Sequence, residues 1–177
     1  MFKTHDGPYD IKKMTAKLQL KFQCDADLGG NLDNGHSQTS YLGFLAGSIF
    51  CWCSTDQGSV STSTAESEIK AVNHTLKCEV IATRGMLDMM GWKQEPTIIQ
   101  EDNMACVHAS KTTQITRGLR HISLAQNWFK EKVADGTCII EKVATTENNS
   151  DIGTKRLARP IFQKLVYALV DKTLSKH

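Results

Sequence analysis

The cleanest alternation in the chain falls in "KLQLKFQCD". Leu18, Leu20, Phe22 and Cys24 share one side, and Gln19, Lys21, Gln23 and Asp25 the other. A period of two over this length predicts a β-strand with one buried face. "LGGNLDNGHSQ" is dense in turn formers, and "TSYLGFLAG" and "SIFCWCST" then read as two short strands closed tightly at Gly47. The chain therefore opens as an antiparallel meander of three strands. After it the period changes. Ile69, Val72, Leu76, Val80 and Leu87 recur at helical spacings, which predicts a long helix with one apolar face, running to about Met90 and stopped by Gly91. Ser63 followed by Glu66 has the capping-box form, with the glutamate reaching back to the Ser63 backbone. "PTIIQEDN" predicts a short buried strand, "MACVHAS" a short helix, and "TCIIEKVA" a fifth strand. Between the last two, a helix from about Leu119 to Ala134 carries Ile122, Trp128, Phe129 and Val133 on one side. "NNSDIGTKRLARPIFQKLVYALVDKTL" predicts one or two C-terminal helices, with a break at Pro160.

A strand–helix–strand passage after a meander implies an α/β fold, a mixed sheet with helices packed on it. At 177 residues the chain has room for one such core. Residues 1–16 are polar, contain Gly7-Pro8 and read as a leader or linker, leaving 17–177 as the domain. No run of 18 apolar residues exists, so nothing spans a membrane, and the N-terminus lacks the apolar centre of a signal peptide. A net charge of +2 permits a nucleic-acid partner without demanding one. The six cysteines form no CxxC pair and read as buried free thiols in a reducing, intracellular compartment. Trp52 and Trp128 read as core residues.

Four acids stand at predicted element ends. Asp25 closes the first strand and Asp102 the fourth, Glu68 lies in the first turns of the long helix, and Asp151 starts the C-terminal helix. Gathering anions is unfavourable unless a cation compensates, and a hard divalent ion such as Mg²⁺ is suited to carboxylate oxygens. Two such ions about 3.5–4 Å apart would clamp an in-line attack of water on a phosphodiester. Each acid also has a simpler reading. Asp102 suits an N-cap, Asp25 a turn cap, and Asp151 a helix dipole. Spacing alone does not bring the four together. Nor does helical geometry choose between Glu66 and Glu68, although the capping box gives Glu66 a structural task and leaves Glu68 free.

The blocks "CDADLGG", "SQTSYLGFLAG", "STSTAESEIKAV", "EDNMACV", "GLRHI", "WFKEKVADG" and "SDIGTKRLARPIF" resemble, in family order, the ribonuclease H domain of copia-type (Pseudoviridae) retrotransposon Pol polyproteins. The resemblance covers Leu18 to Val170. It implies a ribonuclease H-like fold with a five-stranded mixed sheet flanked by helices. The implied activity is endonucleolytic hydrolysis of the RNA strand in RNA–DNA hybrids during reverse transcription. It implies two Mg²⁺ ions, with Mn²⁺ as a substitute, held by Asp25, Glu68, Asp102 and Asp151. The partners implied are the hybrid and the reverse transcriptase domain of the same polyprotein, in a cytoplasmic virus-like particle. Arg120 and His121 of "GLRHI", Lys155 beside Asp151, and Asn103, facing a sugar 2′-hydroxyl, are the expected nucleic-acid contacts. Three departures stand out. Leu28 replaces a tryptophan, a change of packing. Gly153 replaces a leucine inside a predicted helix, at about 1 kcal/mol. "ATTENNS" lacks the loop histidine that aids product release in cellular ribonucleases H, leaving Glu147, Asn148 or Asn149 to substitute, or turnover slower. A non-catalytic, domesticated module serving as a binding or structural subunit is the alternative. An integrase-type nuclease is weaker, because its last acid is placed differently.

Overall fold

The structure is a computed structural model that describes residues 18–112 and 128–170. The expected leader, Arg120, His121 and the start of the helix expected at Leu119 lie outside the described residues. Five strands form one sheet: β1 (Leu20–Asp27), β2 (Gln38–Leu45), β3 (Ser48–Asp56), β4 (Thr97–Glu101) and β5 (Cys138–Lys142). Their spatial order is β3-β2-β1-β4-β5. The first three pair antiparallel, β4 runs parallel to β1, and β5 runs parallel to β4. Leu45 pairs with Ser48, so the β2–β3 turn is only Ala46-Gly47, with φ of 55° and 83°. Positive φ at both positions gives the turn the twist that a two-residue hairpin needs.

The alternation in β1 buries Leu20, Phe22 and Cys24 against the helices. The long amphipathic segment supplies the opposing layer, but not as one α-helix. α1 (Thr64–Thr75) passes into a π-helical turn (Leu76–Val80) and then α2 (Ile81–Met89). The wider turn keeps both Leu76 and Val80 fully buried. α2 ends as expected at Gly91, where the N–H groups of Gly91 and Trp92 donate to the carbonyls of Asp88 and Leu87. α3 (Met104–Lys111) and α4 (Trp128–Ala134) complete this layer, with Phe129 joining Ile99 and Ile140 in the same core. Each such side chain contributes about 1.5–3 kcal/mol by leaving water.

The C-terminal segment departs from expectation. Two short 3₁₀ helices, Thr145–Glu147 and Asn149–Gly153, precede α5 (Arg159–Val170), whose first turn holds Pro160. Proline is tolerated there, because no intrahelical bond is lost in a first turn. Asp151 therefore lies in a 3₁₀ turn and does not start the C-terminal helix. Gly153 ends that turn pressed against the sheet, where an added Cβ would come within 2.8 Å of the Ser40 Cβ. The glycine is required by close approach and does not weaken a helix interior. Trp52 is not core. It stands 73% exposed on edge strand β3, bordering a groove with Leu42, Val166 and Leu169. Trp128 is half-buried, with the Lys77 and Lys132 ammonium groups 5.3 and 5.7 Å from its ring centre. All six cysteines are free, but only Cys24, Cys106 and Cys138 are buried, and Cys78 is exposed. No helix among the described residues is long and apolar enough to cross a membrane.

Candidate metal centre

Asp25 sits two residues inside the end of β1, opposite Ser40 of β2, and is 2% exposed. The Thr154 hydroxyl donates to its Oδ2. Glu68 is aimed by the first turn of α1, which is held from two sides. The Ser63 hydroxyl accepts from the Glu66 N–H at 3.2 Å. The buried Gln57 amide donates to the Thr39 hydroxyl at 3.0 Å and to the Ser67 carbonyl at 2.9 Å, fastening the turn to β2. Asp102 follows β4 directly. The N-cap of α3 is its neighbour Asn103, whose Oδ1 accepts from the N–H groups of Ala105 and Cys106. Asp102 is thus relieved of the capping role, and its carbonyl accepts from the Lys142 ammonium.

One ligand atom from each of Asp25, Glu68 and Asp102 lies within 4.8 Å of the others. Glu68 Oε2 is buried and has no hydrogen-bond partner among the described residues. Converging carboxylates, one with an orphaned oxygen, fit a hard divalent cation that takes oxygen ligands. The charges are strained without one. Burial, with smaller contributions from Asp151 and Asp102, pushes Asp25 up to about 6 against the pull of Thr154 and Lys155. Burial, then the neighbouring Glu101, Asp25 and Asp102, pushes Glu68 up to about 10.

Asp151 is outside this trio. Its Oδ1 accepts from the Lys155 ammonium at 2.6 Å, and the same nitrogen lies 3.7 Å from Asp25 Oδ2. Lys155, expected to follow a nucleic-acid backbone, is here the link between two acids. All three residues offered in place of the loop histidine are tied to β1, Glu147 through its carbonyl, which accepts from the Gln23 amide at 3.1 Å. Asn148 is 1% exposed and donates to the Cys24 carbonyl at 2.9 Å, while the Asn149 amide donates to Gln23 Oε1 at 3.0 Å. The Glu147 side chain is exposed. Leu28, in the tryptophan's place, is 39% exposed at the rim of a cleft that Asp27, Asn31, Lys155 and Arg156 also line.

Glu101 was not singled out from sequence. It is fully buried, and burial, with Asp102 and Asp25 adding to it, pushes it up to about 8. Its Oε1 accepts the Asn103 N–H at 3.0 Å and its Oε2 the Cys24 thiol at 3.4 Å. The signal was present: Thr97, Ile99 and Glu101 are the inward positions of β4, and an acid in that series is unusual.

The strand order and the helices laid on the sheet define a ribonuclease H fold. LC11-RNase H1, isolated from compost, superposes with a TM-score of 0.52 at 13% identity, over 89% of this chain and 99% of its own. A foamy viral protease-reverse transcriptase in complex with RNA/DNA hybrid gives 0.55 at 14% identity, over 92% of this chain and 22% of its own. The chain is also a relative of the copia-type, retrovirus-related Pol polyproteins. It is 33% identical over 144 residues, 81% of its length, to that of transposon TNT 1-94 from Nicotiana tabacum. To that of transposon RE2 from Arabidopsis thaliana it is 27% identical over 147 residues, 82% of its length. The chain spans only 11% and 10% of these two polyproteins. No protein-family model matches it.

Proposed function

We propose that this chain is a metal-dependent ribonuclease H that hydrolyses the RNA strand of RNA–DNA hybrids made during reverse transcription of a retrotransposon. One observation carries the proposal: Asp25, Glu68 and Asp102 present ligand atoms within 4.8 Å of one another, and Glu68 Oε2 is unpartnered. Carboxylates gathered in this way are ionised together most readily when a cation offsets them. Asp25, Glu68 and Asp102, completed by Asp151, would hold two Mg²⁺ ions, or Mn²⁺ in their place. When bound, such ions neutralise the phosphate and acidify the attacking water. The chain's own residues have distinct tasks around them. The Thr154 hydroxyl orients the Asp25 carboxylate. Lys155, released from Asp25 and Asp151 as the site fills, meets a phosphate of the RNA strand. Asn103 keeps its Oδ1 in the cap and offers its amide N–H₂ to a 2′-hydroxyl. Arg120 and His121 contact the backbone.

The hybrid as substrate is supported by LC11-RNase H1 and the foamy viral reverse transcriptase, both solved in complex with RNA/DNA hybrid. The match to retrovirus-related Pol polyproteins supports a reverse transcriptase domain as partner. The test is cleavage of an end-labelled hybrid in Mg²⁺. Asp102→Asn is expected to abolish it while circular dichroism stays unchanged. Undiminished cleavage by this variant would overturn the assignment. Absence of cleavage by the wild-type chain in Mg²⁺ or Mn²⁺, at any concentration, would leave a binding or structural module.

A further inference from the structure

Glu101 is an acid placed where the fold asks for an apolar residue. Its side chain is fully buried on the inward face of β4, in line with Ile99, and close enough to Glu68 to raise its proton affinity. A carboxyl is costly to bury on the core face of a strand, and it is kept there only where its oxygens meet specific partners. Glu101 is not one of the three acids whose ligand atoms converge. Both of its oxygens are turned elsewhere, and their partners are informative. Oε1 accepts the N–H of Asn103, next to Asp102, and Oε2 accepts the thiol of Cys24, next to Asp25.

We propose that Glu101 is a positioning residue of the metal centre, tying the strand that carries Asp25 to the turn that carries Asp102 and so setting the separation of those two ligands. The register of β1 with β4 runs from Lys21 opposite Ile98 to Gln23 opposite Gln100 and ends there. Beyond that point the side chain of Glu101 continues the connection that the ladder no longer makes. It acts through the flanks of the two ligands and not on the ion. Loss of such outer-shell partners typically costs about 10–100-fold in metal affinity.

The inference rests on the metal reading of the site, and calorimetric titration of the full chain with Mn²⁺ separates the two. Glu101→Leu removes both acceptors at similar volume. It is expected to weaken Mn²⁺ binding by about 10–100-fold, while the metal-free variant, left with unpaired donors at Asn103 and Cys24, melts lower than the wild type and keeps its circular dichroism. A merely structural residue would lower the melting temperature in the same way and leave the affinity unaltered. Glu101→Gln keeps an oxygen for the Asn103 N–H and is expected to recover most of the lost affinity. Glu101→Met, more adaptable in packing, serves the same test should the leucine variant not fold. Wild-type affinity in the leucine or methionine variant overturns the inference alone. A wild-type chain that binds no Mn²⁺ overturns the metal reading, and the inference with it.

Discussion

Glu66 and Glu68 stand two residues apart on α1 in opposite surroundings. Burial alone would raise Glu66, but the Thr62 N–H and hydroxyl, both at 2.8 Å, and the Lys70 ammonium at 3.0 Å hold it down at about 2. Its contribution to stability is therefore present above the unfolded value of 4.5 and lost as pH falls through about 2. Glu68 has no such donors, and its raised value reflects its burial first and then the acids around it. Glu66→Gln is expected to lower stability by about 0.5–1 kcal/mol in urea unfolding and to leave hybrid cleavage nearly intact. Glu68→Gln should reduce cleavage by more than about 100-fold with no loss of fold; the reverse pattern would exchange the two roles. The capping box was legible in the sequence and assigned Glu66 a structural task; the choice of Glu68 rested also on the family block that falls on it. The acid reaches Thr62, one residue earlier than the Ser63 that the motif specifies, because Thr62 offers two donors to a single carboxylate oxygen. Glu101 was not legible in the same way, since its role depends on Cys24, 77 residues away along the chain.

Among the elements, the 3₁₀ turn Asn149–Gly153 shows most directly how packing overrides local preference. Gly153 lies over Ser40 and Ser54, and its carbonyl accepts the Ser54 hydroxyl at 2.6 Å. Gly153→Ala should cost about 1–3 kcal/mol in chemical denaturation, the usual range for an overpacked contact. Combining it with Ser40→Gly, which removes the atoms in the way, should restore most of that loss; an alanine variant as stable as the wild type would show that the turn can lift off the sheet. The meander and β4 were readable because period-two patterning is local. The π-helical turn was not, because apolar residues spaced by three, four and seven satisfy an α-helix equally well. The C-terminal segment escaped for a different reason. Asn148 donates to the Cys24 carbonyl across 124 residues, a contact that stops the helical reading of "NNSDIG" and that no neighbouring residue announces.

At the scale of the molecule, three buried acids share one sign of shift. Asp25, Glu68 and Glu101 are raised to about 6, 10 and 8 from ordinary values of 3.8, 4.5 and 4.5. The folded chain keeps protons that the unfolded chain has released, so their contribution is fully present below the ordinary values and is lost as pH rises through the raised ones. Without metal, the melting temperature is expected to fall between about pH 5 and pH 9. Mg²⁺ should reverse most of the fall, with the greater effect at the alkaline end, because the ion requires ionised ligands. Calorimetry with and without a chelator checks this, and a flat profile in both would contradict it. The bridging ammonium of Lys155 has a further consequence. It serves Asp25 and Asp151 as a counter-ion that is covalently part of the chain, so uptake of a divalent cation by those acids would be an exchange and not a simple addition. The displaced amine would be visible as a chemical event. Isotope-labelled dimethylation of Lys155 should give a methyl resonance that moves on addition of Mg²⁺ and stays still in Asp102→Asn, recording occupancy without any substrate present.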